Sequence, residues 1–145
     1  QAIELMKWAQ VIQIVWANSR YELEFEPGEY LLKDAGMLLL NVQYEEIKAG
    51  TRFVYLNGGF NLAMEPVFYD LPCFPVCVEQ PRDELSPVQL VGNINEAIDV
   101  WASNIMLPKL RSGQLVALLN AGAYAAAMAS NHCLRGDFSE RLIQG

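Results

Sequence analysis

Residues 37–57, MLLLNVQYEEIKAGTRFVYLN, hold two β-like runs, Met37–Ile47 and Arg52–Asn57, on either side of the turn pair Ala49-Gly50. The rhythm continues toward the C-terminus in Val76–Glu79, Val88–Val91, Val100–Ala102 and Gln114–Leu119. Turn residues separate these runs at Asn57-Gly58-Gly59, Ser86-Pro87 and Ser112-Gly113. Short strands spaced by turns predict a β-sandwich or barrel. Ala121–Ser130 is rich in alanine, which favours a helix, while Gly122 and the preceding strand oppose one.

Toward the N-terminus the period changes. Ile3, Met6, Trp8, Val11, Ile12, Ile14, Val15 and Trp16 form a helical stripe over residues 2–18. From Arg20 to Phe25 the pattern alternates, with Tyr21, Leu23 and Phe25 set against Glu22 and Glu24, which predicts a strand. Glu26-Pro27-Gly28 then breaks it. The expected order is one helix and one strand, followed by a mainly β domain beginning near residue 34.

A chain of 145 residues that is 52% hydrophobic is long enough for one core. A net charge of −7 and a pI near 4.6, with no basic run, argue against a nucleic-acid partner. The apolar stretch Leu115–Met128 is interrupted by Asn120 and Gly122 and falls short of the roughly 20 residues needed to cross a bilayer. The chain opens on Gln1, and its first helix mixes Glu4, Lys7, Gln10 and Gln13 among apolar residues, unlike a secretory signal. It is expected to be a segment of something longer.

Cys73, Cys77 and Cys133 are too few and odd in number for a disulfide framework, which suits a reducing, cytoplasmic setting. Together with His132 they offer ligand types that suit zinc. Cys73 and Cys77 stand among apolar residues, however, and His132 adjoins Cys133, so ordinary buried or surface thiols are the preferred reading and no metal is expected.

Five motifs now stand in series: Glu26-Pro27-Gly28-Glu29-Tyr30, Asp34-Ala35-Gly36, Phe53 to Asn61, Pro66-Val67-Phe68-Tyr69-Asp70 and Gly92 to Asp99. Leu107-Pro108 and Asn120-Ala121-Gly122-Ala123-Tyr124 follow. The series resembles the C-terminal part of the pyridoxal-phosphate-dependent decarboxylases that act on ornithine, diaminopimelate and carboxynorspermidine. The resemblance implies an alanine-racemase-like fold, in which a TIM-like barrel holds the cofactor and a C-terminal β-sandwich or barrel completes the site. Residues 1–33 would be the end of that barrel, with its last helix and strand, and residues 34–145 the β domain.

In that family the lysine that carries the cofactor as a Schiff base lies on an early barrel strand. None of Lys7, Lys33, Lys48 and Lys109 falls in a matching motif, so this chain alone is expected to be inactive. The resemblance further implies a homodimer with shared sites, an amino-acid substrate and pyridoxal 5'-phosphate as cofactor.

Carried over residue by residue, Glu26 would pair with the pyridine nitrogen, where an anion keeps the ring protonated and able to accept electrons. Gly28 would let backbone N–H groups approach the phosphate. Tyr124 would also contact cofactor. Glu29 stands where the family often has arginine, a bidentate phosphate partner, although carboxynorspermidine decarboxylases share Glu-Pro-Gly-Glu.

Toward the substrate, Glu65 stands where diaminopimelate decarboxylases have an arginine for a distal carboxylate. Asp70 follows Tyr69 as in ornithine-type enzymes. Glu65, Asp70 and Glu96 together suit an amine-bearing substrate, and Tyr69 would help shape the substrate end. Asn95 departs most, because the family has there a cysteine that protonates the product, and an amide has no titratable proton near neutral pH. That departure and Glu29 also suit a second reading, a non-catalytic homologue serving as a binding or regulatory module.

Overall fold

The structure, a computed structural model, describes residues 4–79 and 83–144. Helix α1 runs from Leu5 to Trp16, and positions 2 and 3 of the expected helix lie outside the described residues. Six strands follow: β1 Met37–Lys48, β2 Thr51–Leu56, β3 Phe74–Cys77, β4 Ser86–Val91, β5 Val100–Leu107 and β6 Leu115–Leu119. They form one mainly β sheet in the order β3-β6-β1-β2-β4-β5.

The quoted stretch supplies the hub of this sheet. The N-terminal half of β1 pairs antiparallel with β6, from Met37 opposite Leu119 to Asn41 opposite Leu115. The C-terminal half pairs antiparallel with β2, from Val42 opposite Leu56 to Lys48 opposite Thr51. The register shifts between Val42 and Tyr44, an irregularity of the kind that bends a strand and increases its twist. Ala49 and Gly50 close the hairpin with φ of 51° and 80°, and only glycine adopts the second at no steric cost. The pairing of β2 with β4 is parallel, so the chain crosses over between Leu56 and Ser86.

Bending brings inward-facing residues of five strands onto one core. Val42, Val54, Leu56, Leu90 and Val116 are fully buried, and Trp101, Leu107 and Leu118 pack with them. Each such side chain contributes about 1.5–3 kcal/mol by leaving water. The ends of β1, β2, β4 and β5 are joined through one cation. The Arg52 guanidinium donates to Glu45 Oε2 at 2.8 Å, Ser86 Oγ at 2.6 Å and the Leu107 carbonyl at 2.9 Å. Burial pushes the Glu45 carboxyl up, but Arg52 and the Leu110 N–H outweigh it and hold it below the usual carboxylate range.

Three local expectations are corrected. Residues 20–26 form no strand: Tyr21, Leu23 and Phe25 alternate as expected, yet they are exposed and no described strand lies beside them to complete a ladder. Ser86-Pro87 is not a turn but the start of β4. Pro87 pairs with Met106 on β5, and the β2 ladder begins only at Gln89, so its missing N–H leaves no bond to β2 unmade. The alanine-rich segment 121–130 is helical only over Tyr124–Ala127, designated α3, because Asn120 and Ala123 adopt φ of 55° just before it.

Helix α1 is met by the chain that follows it. Trp16 Nε1 donates to the Tyr21 carbonyl at 2.9 Å, and the Trp8 and Phe25 rings meet edge to face at 4.5 Å. No residue of α1 is buried.

Replacing Leu90 with alanine is expected to lower the unfolding free energy by about 3 kcal/mol, read from urea denaturation. A loss below about 1 kcal/mol would contradict a single closed core at this point.

Candidate functional site

Several of the expected site residues gather into three groups. The first joins Gly28 and Tyr124. The loop before α3 is tied to the segment before β1 by two backbone bonds, Gly122 N–H to the Lys33 carbonyl at 3.0 Å and Ala121 N–H to the Gly36 carbonyl at 2.9 Å. Gly122 makes this possible, since a Cβ there would lie 1.9 Å from the Leu32 carbonyl oxygen. As a result Tyr124 leans on Gly28, where an added Cβ would meet the tyrosine Oη at 2.6 Å. Any side chain at position 28 would displace that hydroxyl.

The second group is an ionic triad. Lys33 Nζ donates to both Glu29 oxygens at 2.8 Å and to Glu65 Oε1 at 2.9 Å. Glu65, at the start of helix α2 (Glu65–Phe68), is 4% exposed. Burial pushes its carboxyl up, and the neighbouring Glu29 pushes the same way against Lys33. Glu29 is held below its ordinary range by its hydrogen bond to Glu65 and by Lys33. Lys33 is raised, because the two carboxylates outweigh its burial. Lys33 and Glu65 line a cleft with Ala63, Leu71, Cys73, Trp101 and Asn120. Asp70, at φ 52°, lines the adjoining cleft with Pro72 and Ser103.

The third group lies where Glu96 pairs with His132, with Cys133 beside them. Glu96 belongs to the loop between β4 and β5, which Asp99 organises: its buried carboxylate accepts from the Phe60 N–H at 2.7 Å and the Ile94 N–H at 2.6 Å. Gly92 leaves room for this carboxylate, whose oxygens would stand 2.4 Å from a Cβ there. Cys73 and Cys77 stand apart and pack against the hydrophobic core, where burial pushes the Cys73 thiol up to about 12.

Glu26, Tyr69 and Asn95 are exposed and make no side-chain hydrogen bond to a described residue. Two partners escaped sequence reasoning. Lys33 lies outside the matching motifs, and its i,i+4 spacing from Glu29 was the available signal. His132 lies far from Glu96 in sequence, and nothing local announces their pairing.

Residues 24–122 match the family described as pyridoxal-dependent decarboxylase, C-terminal sheet domain. The chain belongs to that family. It is 35% identical over 121 residues to the diaminopimelate decarboxylase of Methanothermobacter thermautotrophicus, covering 82% of this chain and 28% of the relative. The crystal structure of diaminopimelate decarboxylase from Helicobacter pylori complexed with L-lysine superposes with a TM-score of 0.83 at 29% identity, covering 93% of this chain and 33% of that one. Lysine/ornithine decarboxylase from Vibrio vulnificus, complexed with cadaverine, gives 0.79 at 27% identity over 90% of this chain and 36% of that one. The chain thus spans about a third of the length of the relatives it matches. These relatives share the alanine-racemase-like architecture expected above. Among the described residues no helix is long and apolar enough to cross a membrane.

Replacing Lys33 with methionine tests the triad through pH. Glu29, with its pKa lowered from 4.5, adds stability above that pH and loses it as pH falls through the folded value. Glu65, with its pKa raised from 4.5, opposes folding as it ionises above that pH and depends on Lys33 there. Loss of the cation is therefore expected to cost about 2–4 kcal/mol near pH 8. The cost should shrink as the carboxyls protonate on acidification. Denaturation midpoints at both ends of this range check it, and a pH-independent loss would leave Lys33 a packing role alone.

Proposed function

We propose that this chain forms the C-terminal part of the site of a pyridoxal-phosphate-dependent decarboxylase acting on a basic or amine-bearing amino acid. The juxtaposition of Gly28 and Tyr124 carries the reading. A backbone stripped of its side chain beside a phenolic donor is suited to a phosphate, and Lys33 holds the Glu29 carboxylate that would repel one. The residues present thus fit the phosphate end of the cofactor, and Glu26, with no other side-chain partner among the described residues, fits its ring nitrogen.

When bound, the cofactor supplies a ring that accepts the electron pair left by departing carbon dioxide. This chain's residues hold and orient. Tyr124 and the Gly28 backbone secure the phosphate, and Glu26 keeps the ring nitrogen protonated. Tyr69 and Asp70 face the substrate, while Glu96 is engaged by His132. Since Lys33 compensates Glu65, the uncompensated carboxylate for a distal amine is Asp70. The relatives' complexes with lysine and cadaverine support an amine-bearing ligand.

Residues 1–33 belong in this reading to a TIM-like barrel whose earlier part carries the Schiff-base lysine, and residues 34–145 to the β domain. The apolar side chains exposed along α1, among them Met6, Val11, Ile14 and Val15, support such a neighbour. A homodimer completes the assembly. Three free thiols support a cytoplasmic setting.

The test is carbon dioxide release by the protein joined to its barrel. L-Lysine and L-ornithine are expected to react faster than meso-diaminopimelate. Glu26→Gln is expected to lower kcat on the order of a hundredfold while cofactor stays bound. Cofactor binding without release from any of these substrates would favour the non-catalytic module, the reading to which Asn95 points.

A further inference from the structure

We propose that Glu96, His132 and Cys133 form a binding site for a divalent transition-metal ion of the zinc class, with a fourth position left to solvent. The inference does not depend on the decarboxylase reading. One oxygen of Glu96, one ring nitrogen of His132 and the sulfur of Cys133 all lie within 4.8 Å of one another. Carboxylate, imidazole and thiolate are the three side-chain donors that zinc takes, and three protein ligands with an open position form a common zinc geometry. Bonds of about 2.0–2.3 Å to a tetrahedral ion set donors roughly 3.3–3.8 Å apart. The Glu96–His132 pair has to open slightly, a movement within the reach of side-chain rotation, and Cys133 lies within 4.8 Å of both.

Sequence adjacency of His132 and Cys133 argues against joint ligation, because neighbouring side chains of an extended chain point apart. Here the chain is not extended. His132–Leu134 form a single tight turn in which Cys133 and Leu134 take φ of 53° and 57°, the left-handed region that non-glycine residues rarely occupy. The turn brings both donors to the side facing Glu96.

The frame around the three donors is built rather than incidental. Both loops that supply them are fastened to the same short turn, Phe60–Leu62. Fully buried Asn61 donates through Nδ2 to the Ser130 carbonyl at 2.8 Å and the Arg135 carbonyl at 3.1 Å, so it clasps the His132–Cys133 loop at both ends. Its own carbonyl accepts the Ser130 N–H at 2.9 Å. On the other side Asp99 binds the Phe60 and Ile94 N–H groups, and its own N–H donates to the Glu96 carbonyl at 3.0 Å. The Phe60 ring lies 5.3 Å from the His132 ring and limits its swing. Metal binding breaks the Glu96–His132 hydrogen bond and releases the thiol proton, and the thiolate and carboxylate together neutralise a dication.

The test uses the full chain, stripped with chelator and titrated anaerobically with Co²⁺, with Zn²⁺ as competitor. One cobalt per chain is expected, with near-ultraviolet absorption from thiolate to metal. Cys133→Ser should abolish that absorption, and His132→Ala and Glu96→Gln should each weaken affinity by at least about tenfold. The double variant Cys73→Ser, Cys77→Ser should retain it. Unchanged thermal midpoints in chelator would show that the variants fold. Absorption that survives Cys133→Ser, or none at millimolar Co²⁺, overturns the site.

Discussion

β1 has to satisfy two ladders at once, and the rest of the molecule follows from how it does so. Its first half carries β6, and through β6 the edge strand β3; its second half carries β2, β4 and β5. A straight strand would leave these two groups side by side with one shared face. The irregularity between Val42 and Tyr44 turns one group toward the other, so Val42 and Leu40 can meet Leu90 and Val116 in a common core. Closure then dictates where the connections run, and the clefts beside Glu65 and Asp70 open between the parallel crossover from β2 to β4 and the strands β5 and β6.

That crossover is held by polar groups as much as by packing. Asp99 is 3% exposed and its carboxyl is pushed up by burial, against the two backbone N–H groups that favour its charge. A buried carboxylate of this kind is costly unless its lone pairs are used. Here it uses them to set the loop before β5 against the turn at Phe60, and Asn61 sets the C-terminal loop against the same turn. Positions far apart in sequence thus share one support. Their relative placement follows from a fully buried amide and carboxylate rather than from flexible surface contacts.

The β character was legible because strand periodicity and turn residues are local, and β1, β2, β4 and β6 each stand close to where the pattern puts them, while β5 starts at Val100 as expected but runs on past Ala102 to Leu107. What misled was also local. The alternation at residues 20–25 reports a strand's side-chain pattern, but pairing is a property of a neighbour, and no described strand supplies it. Ser86-Pro87 carries turn chemistry, yet a proline ahead of the ladder is tolerated in a strand. For the site, the motif series brought Gly28 and Tyr124 to attention, whereas the Glu96–His132 pair spans 36 positions and depends on two loops whose anchors, Asn61 and Asp99, are ordinary polar residues in sequence.

The two glutamates of the triad make sense only together. The resemblance puts arginine at position 29 in many relatives and at position 65 in diaminopimelate decarboxylases, so each glutamate reverses a charge. With glutamate at both positions neither can neutralise the other, so the cation has to come from a third residue. Lys33 answers both, since one ammonium reaches Glu29 and Glu65 at 2.8–2.9 Å. Two carboxylates and one lysine still leave a surplus of negative charge beside the cleft, partly relieved by the tendency of buried Glu65 to hold its proton. The field at this end is therefore negative, which is the electrostatic support for the proposed amine-bearing ligand. Two reversed charges and the single ammonium between them thus set the sign of the potential at this end of the chain.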